Sequence, residues 1–378
     1  MTSTSTARIL VGAVAIAGLV VAAVIIGLWP ETIQVQNTDQ IFATDVVPAR
    51  VVSADLAPCL NVPDLECVAI EYEITGGDDT GRRARQDFFG DPTDPDLVAG
   101  DRVVLNYVQS ADPEFQYSFA DRERRNVLWT VAGLFALAVV ALGGWRGVAG
   151  IAALAMSFLL LLWFVLPSIV NGANPVVTAL VGASAIAYVA LYIGHGFTLR
   201  TTVALAGALC SLAAVAGLSW IVLALANVSG FTTEEALYLP LLSQAFDVRG
   251  LVLAGVVLGT MGALDDVTVT QTEAVWELRA ASREMPRADI FAAALRIGRA
   301  HIGSTVNTLA LAYAGASLPL LLLFVISQQS LGTVANSEVV ATEIIRTLVG
   351  SMGLVTSVPL TTWLATVVVP DAAEGHMH

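Results

Sequence analysis

The stretch 251-LVLAGVVLGTMGALDDVTVTQTEAVWELR-279 decides how the chain is read. It opens as an apolar run suited to crossing a membrane. It then sets Asp265 and Asp266 side by side, with Thr268, Thr270, Gln271 and Glu273 close behind. A helix starting near Arg249 puts the acid pair roughly 20 Å along, at about 1.5 Å per residue, past mid-membrane. A charged carboxylate at a helix centre costs about 2.5–3.5 kcal/mol on insertion scales. Two adjacent acids therefore require that one stay protonated or that each find a partner.

Helical periodicity sorts the cluster. Asp266, Thr270 and Glu273 follow i, i+4, i+7 and share a face with Gly259 and Gly262; Asp265, Thr268 and Thr272 form the neighbouring stripe. Leu264, Val267 and Val257 fall opposite, towards lipid or apolar packing. A polar arc lined with small residues predicts a face turned to protein or to a water-filled path.

The rest of the chain supports a membrane setting. It is 56% hydrophobic and 13% charged, about half the charged fraction of ordinary soluble domains. Apolar runs predict about eight spans, near 9–29, 126–143, 147–169, 175–193, 201–226, 249–275, 303–326 and 347–369. The first run, 9-ILVGAVAIAGLVVAAVIIGLW, is longer than a signal core and no small-residue cleavage site follows, so a retained anchor is expected over residues 1–30. The formal charge is −14 and every fixed cation is arginine, which excludes a basic nucleic-acid footprint.

Arginine counting in the short loops orients the spans. With the N-terminus inside, the inside set holds Arg8, Arg146, Arg200, Arg279, Arg283, Arg287, Arg296 and Arg299, against Arg249 and Arg346 outside. Both termini are then inside, including a short tail at 371–378, and residues 31–125 are exported. That segment carries strand-like runs, 41-IFATDVVPARVVSA, 67-CVAIEYEI, 82-RRARQDFF and 102-RVVLNYVQ. Turn signals separate them at Gly76-Gly77-Asp78-Asp79, Asp91-Pro92 and Ala99-Gly100-Asp101. A small all-β domain is expected, a sandwich or a barrel such as the five-stranded oligomer-binding type. Cys59 and Cys67 lie in it eight positions apart, which predicts a disulfide on the oxidising side, with two free thiols as the alternative. Cys210, in the fifth span, reads as a small apolar core residue.

Residues 126–370 form the expected seven-helix bundle. Its inner segment, 276-WELRAASREMPRADIFAAALRIGRAH, is broken at Pro286, and residues 286–300 read either as an amphipathic helix on the inner leaflet or as a solvated connector. The next span supplies the expected facing shell for the acids, His301, Ser304, Asn307 and Thr308. The fourth span adds a second polar stripe, Tyr188, Tyr192 and His195, and the eighth carries Pro359 as a kink candidate. A single Asn, Thr or Tyr in a membrane helix more often ties helices together than forms a working site. Intramembrane acids are rare and usually functional.

Adjacent carboxylates in a low dielectric titrate as a coupled pair, which suits proton binding and release. Oxygen ligands of this kind also suit Na⁺ or a divalent cation, so the metal identity stays open and no other cofactor is expected. No HExxH, nucleophile elbow, Walker loop or CxxC occurs, so no enzyme is expected. His376 and His378 at the tail are too few for a metal site.

The arrangement 259-GTMGALDDVTVTQTEAVWEL followed by 298-GRAHIGSTVNTLALAYAGASLPLLLL resembles the YibE/F-like integral membrane proteins of bacteria, over roughly residues 125–370. The resemblance implies a fold group and a bacterial inner-membrane setting rather than a substrate. A more distant likeness, in mechanism, is to proton-driven exporters of the resistance-nodulation-division type and to the Sec translocase accessory subunits. Gly262, Asp265, Asp266, Glu273, Arg279, Arg296, Gly298 and Ser304 through Thr308 follow in similar order. Those proteins have five spans per half after a much larger exported domain.

Two functions are carried forward. The first is a proton- or cation-coupled transporter working through Asp265 and Asp266, with Thr270 and Glu273 beside them. The second is a non-transporting envelope scaffold whose exported β-domain binds a partner. Lipid bilayer, an unidentified substrate or envelope partner, and a further copy in an oligomer are the expected contacts.

Overall fold

A computed structural model describes residues 3–30, 45–60, 62, 64–91, 93–109, 111–112, 115–242 and 246–370. Residues 41–44 of the first predicted strand, and the tail with His376 and His378, lie outside them. The chain divides into two compact units, Gln36–Ala138 and the combination of Met1–Val35 with Val139–His378.

The smaller unit is a curled five-stranded antiparallel sheet. Its strands are β1 (Asp45–Pro58), β2 (Glu66–Ile74), β3 (Arg83–Phe88), β4 (Arg102–Tyr107) and β5 (Tyr117–Arg122), in the order β3-β2-β1-β4-β5. Period-two alternation drives the inward faces: Ile70, Tyr72 and Ile74 on β2, and Val103 and Leu105 on β4, are buried with Ala49, Val51 and Tyr117. Each fully buried Ile, Leu or Val contributes roughly 1.5–3 kcal/mol. A bulge between Val51 and Ser53 lets the long β1 pair with β4 through its first half and with β2 along most of its length. The two edge strands meet through side chains. Gln86 Oε1 accepts from the Phe119 N–H at 2.6 Å, and the Phe88 and Phe119 rings pack edge to face at 6.4 Å.

Cys59 and Cys67 are disulfide-bonded across the base of the loop that joins β1 to β2. Tyr117 donates to Asp79, with the Arg82 guanidinium 5.3 Å from its ring centroid. Burial, and then the Asp79 bond, push the Tyr117 phenol up to about 12. Burial also raises Tyr72.

The larger unit is helical. Its elements are α1 (Ser3–Leu28), α2 (Arg125–Leu160), α3 (Leu166–Val170), α4 (Pro175–His195), α5 (Leu199–Leu225), α6 (Glu234–Leu242), α7 (Val248–Ala281), α8 (Arg287–Ala316), α9 (Leu318–Ile326), α10 (Leu331–Asn336) and α11 (Glu338–Val368). The start of α2 belongs to the smaller unit. Among the described residues six helices are long and apolar enough to cross a membrane, or seven if α8 and α9, bent by 66°, count as one. The sequence reading expected eight. The difference lies in the 46-residue apolar run Arg125–Val170. It breaks at Gly144, which takes φ 55° and ψ −134°. A Cβ at Gly147 would collide with the Val139 carbonyl, and only a sharp reversal brings residues eight apart so close. A π turn at Leu161–Val165 joins α2 to α3.

α7 is the central helix, packed against α4, α5, α8 and α11. Its neighbours approach through small residues: Ala179, Ala183 and Ala187 on α4, and Ala204 and Ala208 on α5, are all buried. α5 and α11 are keyed together, with Thr361 seated at Gly207 and Val215 seated at Gly353, where a Cβ would collide in each case. α1 is tied to the bundle by the Tyr188 hydroxyl, which donates to Val14 O at 2.6 Å, and by Ser168 donating to Leu28 O at 3.0 Å.

Several buried hydroxyls serve their own helix. Thr260 donates to Val256 O, Thr272 to Thr268 O and Thr366 to Thr362 O. The side-chain amide of Gln271 lies 2.9 Å from the Thr362 hydroxyl, the one side-chain hydrogen bond between α7 and α11 among the described residues. α11 runs on through Pro359.

Two local expectations change. The segment 286–300 is no separate surface helix, because α8 runs unbroken from Arg287 to Ala316. Its buried positions Ile290 and Ala294 join a cluster with Val275, Trp276, Ala365 and Val368, and Gly298 abuts Val358 and Gln271. Cys210 is exposed on the outer surface of α5 instead of sitting in the core.

Candidate functional site

The acid pair divides between two environments. Asp266 is exposed, and Thr270 beside it spends its hydroxyl on Asp266 O at 2.9 Å. Asp265 turns inward, and one of its carboxylate oxygens is buried with no hydrogen-bond partner. The buried stripe of α7 is thus that of Asp265, Thr268 and Thr272, the latter two at most 1% exposed. Leu264, Val267 and Val257, on the opposite side, are buried in apolar packing.

Asp265 opens onto a cavity of about 500 Å³. Gly150, Leu154 and Phe158 of α2 form one wall, Ile186, Ala190 and His195 of α4 another, and Leu258, Met261 and Gly262 of α7 complete it. The lining is apolar except at Ser157, whose hydroxyl donates to Ala153 O at 2.8 Å, and at the end where Asp265 and His195 stand. The titratable groups within electrostatic reach of Asp265 are His195 and Asp266. The π turn places Leu161 at the cavity edge, and such turns recur at functional sites.

His195 also lines a second, more polar cavity of about 920 Å³, with Trp145, Arg146, Arg200, Glu273 and Glu277. A small recess between the two joins His195 to Arg200, Thr272 and Glu273. His195 therefore stands at the junction of an apolar chamber holding one acid and a charged vestibule. Arg200 and Glu273 pair at 2.9 Å, with the Arg200 guanidinium 6.0 Å from the Trp276 ring. Both side chains are nearly half exposed, so the pair adds little stability and screens readily.

The expected facing shell is elsewhere. His301, Ser304, Asn307 and Thr308 are exposed on α8 and do not line the Asp265 cavity, and the Thr308 hydroxyl donates to Ser304 O at 3.0 Å. The reason is the phase of α8. It meets α7 through Gly298, whose Cβ position lies 2.7 Å from the Gln271 amide, and through Tyr313 beside Gly259. The Tyr188, Tyr192 and His195 stripe also divides. Tyr188 holds α1, the Tyr192 hydroxyl lies 3.1 Å from that of Thr202, and His195 alone serves the cavities.

Among the described residues no group of three or more His, Cys, Asp or Glu side chains is placed to hold a metal ion. Asp265 and His195 offer one carboxylate and one imidazole, a pair suited to passing a proton, or to a monovalent cation completed by other oxygens. The α2 wall and Ser157 carried no sequence signal. Gln271 carried one, a long amide between two threonines on a membrane helix.

A family model described as YibE/F-like protein matches residues 131–371, a stretch that contains every residue lining the Asp265 cavity. No curated protein and no solved structure matches the chain.

Proposed function

The chain belongs to the YibE/F-like family, and from that premise we propose that it is a proton- or cation-coupled transporter of the bacterial inner membrane, with Asp265 binding and releasing the coupling ion. The observation that carries this reading is the buried, unpartnered carboxylate oxygen of Asp265 facing a cavity within the bundle. An intramembrane acid without a partner is costly and is retained where ions pass. His195, shared by the chamber and the vestibule, is the relay between Asp265 and water. Glu273 and Arg200 sit at the vestibule mouth and set its field.

We read the Gly144 reversal as a turn between two spans and the bent α8–α9 pair as one span, which brings the number to eight. In that topology both termini and the vestibule are inside, and residues 31–125 are outside as an oligomer-binding-type barrel. The strand order and the meeting of β3 with β5 support that barrel. No enzymatic step enters the reading.

Proteoliposome flux tests it. Purified protein should dissipate or build a proton or Na⁺ gradient, and Asp265→Asn should abolish this while Asp266→Asn retains most of it. Carbodiimide, which attacks protonated carboxyls in apolar surroundings, should label Asp265 ahead of Asp266. Intact ion movement in the Asp265→Asn protein would sink the proposal. The scaffold reading, favoured by the separate core and disulfide of the smaller unit, would then lead.

A further inference from the structure

Between residues 45 and 125 the sequence carries seventeen Asp and Glu against eight Arg, so acids are in ample supply for every guanidinium. Six of the arginines use them. Arg82 pairs with Asp79, Arg83 with Glu71, Arg85 with Asp87, Arg122 with Asp101, Arg124 with Asp121 and Arg125 with Glu123. Arg50 and Arg102 have no ion pair among the described residues.

These two are not scattered. They are direct cross-strand partners between β1 and β4, an arrangement in which like charges destabilise a sheet. Glu73, opposite Arg50 on its other flank, is not within ion-pair range of it. Arg50 and Arg102 line a cleft of about 340 Å³ together with Thr75, Glu123, Arg125 and Asn126. The cleft's single acid is already engaged. Glu123 accepts the Arg125 backbone N–H at 2.9 Å and lies 3.5 Å from its guanidinium. Arg125 is the first residue of the 36-residue α2, whose N-terminal dipole adds to the positive field.

We propose that this cleft is an anion site for a phosphate-bearing ligand, held by Arg50 and Arg102 with Arg125 at the rim. Two guanidinium forks lining one cleft match the oxygens of a phosphoryl group, and a bound anion removes the repulsion between them. The cleft exceeds a bare phosphate, so a phosphate ester fits better. The ester is either a small soluble one or a phospholipid headgroup at the start of the first apolar helix after the sheet. The inference does not depend on the transport reading.

The test uses full-length protein in uncharged detergent. Isothermal titration with inorganic phosphate and with glycerol 3-phosphate measures the soluble arm. Native mass spectrometry with phosphatidylglycerol against phosphatidylcholine measures the lipid arm. Wild type should bind in at least one arm, and R50Q/R102Q should bind at least about tenfold more weakly. The control R124Q, whose guanidinium is tied to Asp121, should bind like wild type. R50Q/R102Q should also unfold at a higher temperature than wild type when no anion is present, showing both that it folds and that a repulsion has gone. Soluble binding alone assigns a free phosphate ester, and lipid binding alone assigns a headgroup. Equal binding by wild type and R50Q/R102Q, or no binding by wild type in either arm, overturns the proposal.

Discussion

His195, the last residue of α4, and Asp265, midway along α7, line one cavity and are its only ionisable side chains among the described residues. Of the two, His195 also lines the charged vestibule.

The first prediction follows from that asymmetry. Asp265→Asn should lower coupled flux by about a hundredfold or more, the scale of losing a positioned proton-transfer group. Asp266→Asn, at an exposed position, should change it by no more than about twofold, since surface substitutions away from such features have small effects. His195→Gln should slow turnover on the order of tenfold by removing the imidazole that lines both cavities. Initial-rate flux in proteoliposomes checks all three, and equal losses at Asp265 and Asp266 would remove the geometric argument.

A second prediction concerns packing. Gly353→Ala and Gly207→Ala each put a methyl where Val215 or Thr361 already sits, both on β-branched, stiff side chains. Each should destabilise the bundle by about 1–3 kcal/mol, the usual cost of overpacking. Thermal unfolding of the detergent-solubilised protein reads this. Gly217→Ala on α5, with open space at its Cβ position, should hold or raise the midpoint.

For the sheet, closing the short Cys59–Cys67 loop constrains the unfolded chain, and Cys67→Ser should cost on the order of 2–4 kcal/mol. Limited proteolysis between Asp45 and Arg122 should accelerate in the variant and in reduced wild type alike. Protection unchanged by reduction would mean the core of Ile70, Tyr72 and Val103 suffices.

The fourth prediction is a pH dependence. The Tyr117 phenol is held up to about 12 against an ordinary value of 10, by burial and by donation to Asp79. Its neutral form is the one the fold favours. The stability it confers is complete below about pH 10 and fades as pH rises from about 10 towards 12. Spectrophotometric titration should show late-titrating tyrosine absorbance that falls by one tyrosine's share in Tyr117→Phe, while Tyr72, raised by burial, still titrates late.

Much of the architecture was legible because it follows from composition and period. Long apolar runs gave the helices, alternation in 67-CVAIEYEI and 102-RVVLNYVQ gave β2 and β4, and two cysteines in a strand-rich segment gave the disulfide. The break expected between the spans 126–143 and 147–169 falls at Gly144, where the chain leaves helical geometry inside a run of continuous hydropathy. Of the candidate site, the acid pair was legible but not which of the two acids is the buried one. Periodicity grouped Asp266 with Thr270 and Glu273, but which stripe faces inward depends on where α2 and α4 pack, and that is tertiary information. The same limit misplaced Asn307 and Thr308. Polar residues mark a helix that touches something, without saying which neighbour it touches.

The hydroxyls buried between α7 and α11 have a mechanical consequence. Because Thr260, Thr272 and Thr366 give their protons to carbonyls of their own helix, the packed seam between these helices is crossed, among the described residues, by one side-chain hydrogen bond, that of Thr362 with Gln271. The seam between α5 and α11 is instead notched, with Thr361 and Val215 lodged at glycines like teeth in a rack. Notches of this kind set the axial register of α5 against α11, because sliding either helix drives a β-branched side chain into its neighbour's backbone. The helix that carries Asp265 is pinned from several sides instead, by Gln271 on Thr362, by the Arg200–Glu273 pair to α5 and by Thr260 packed at Gly350.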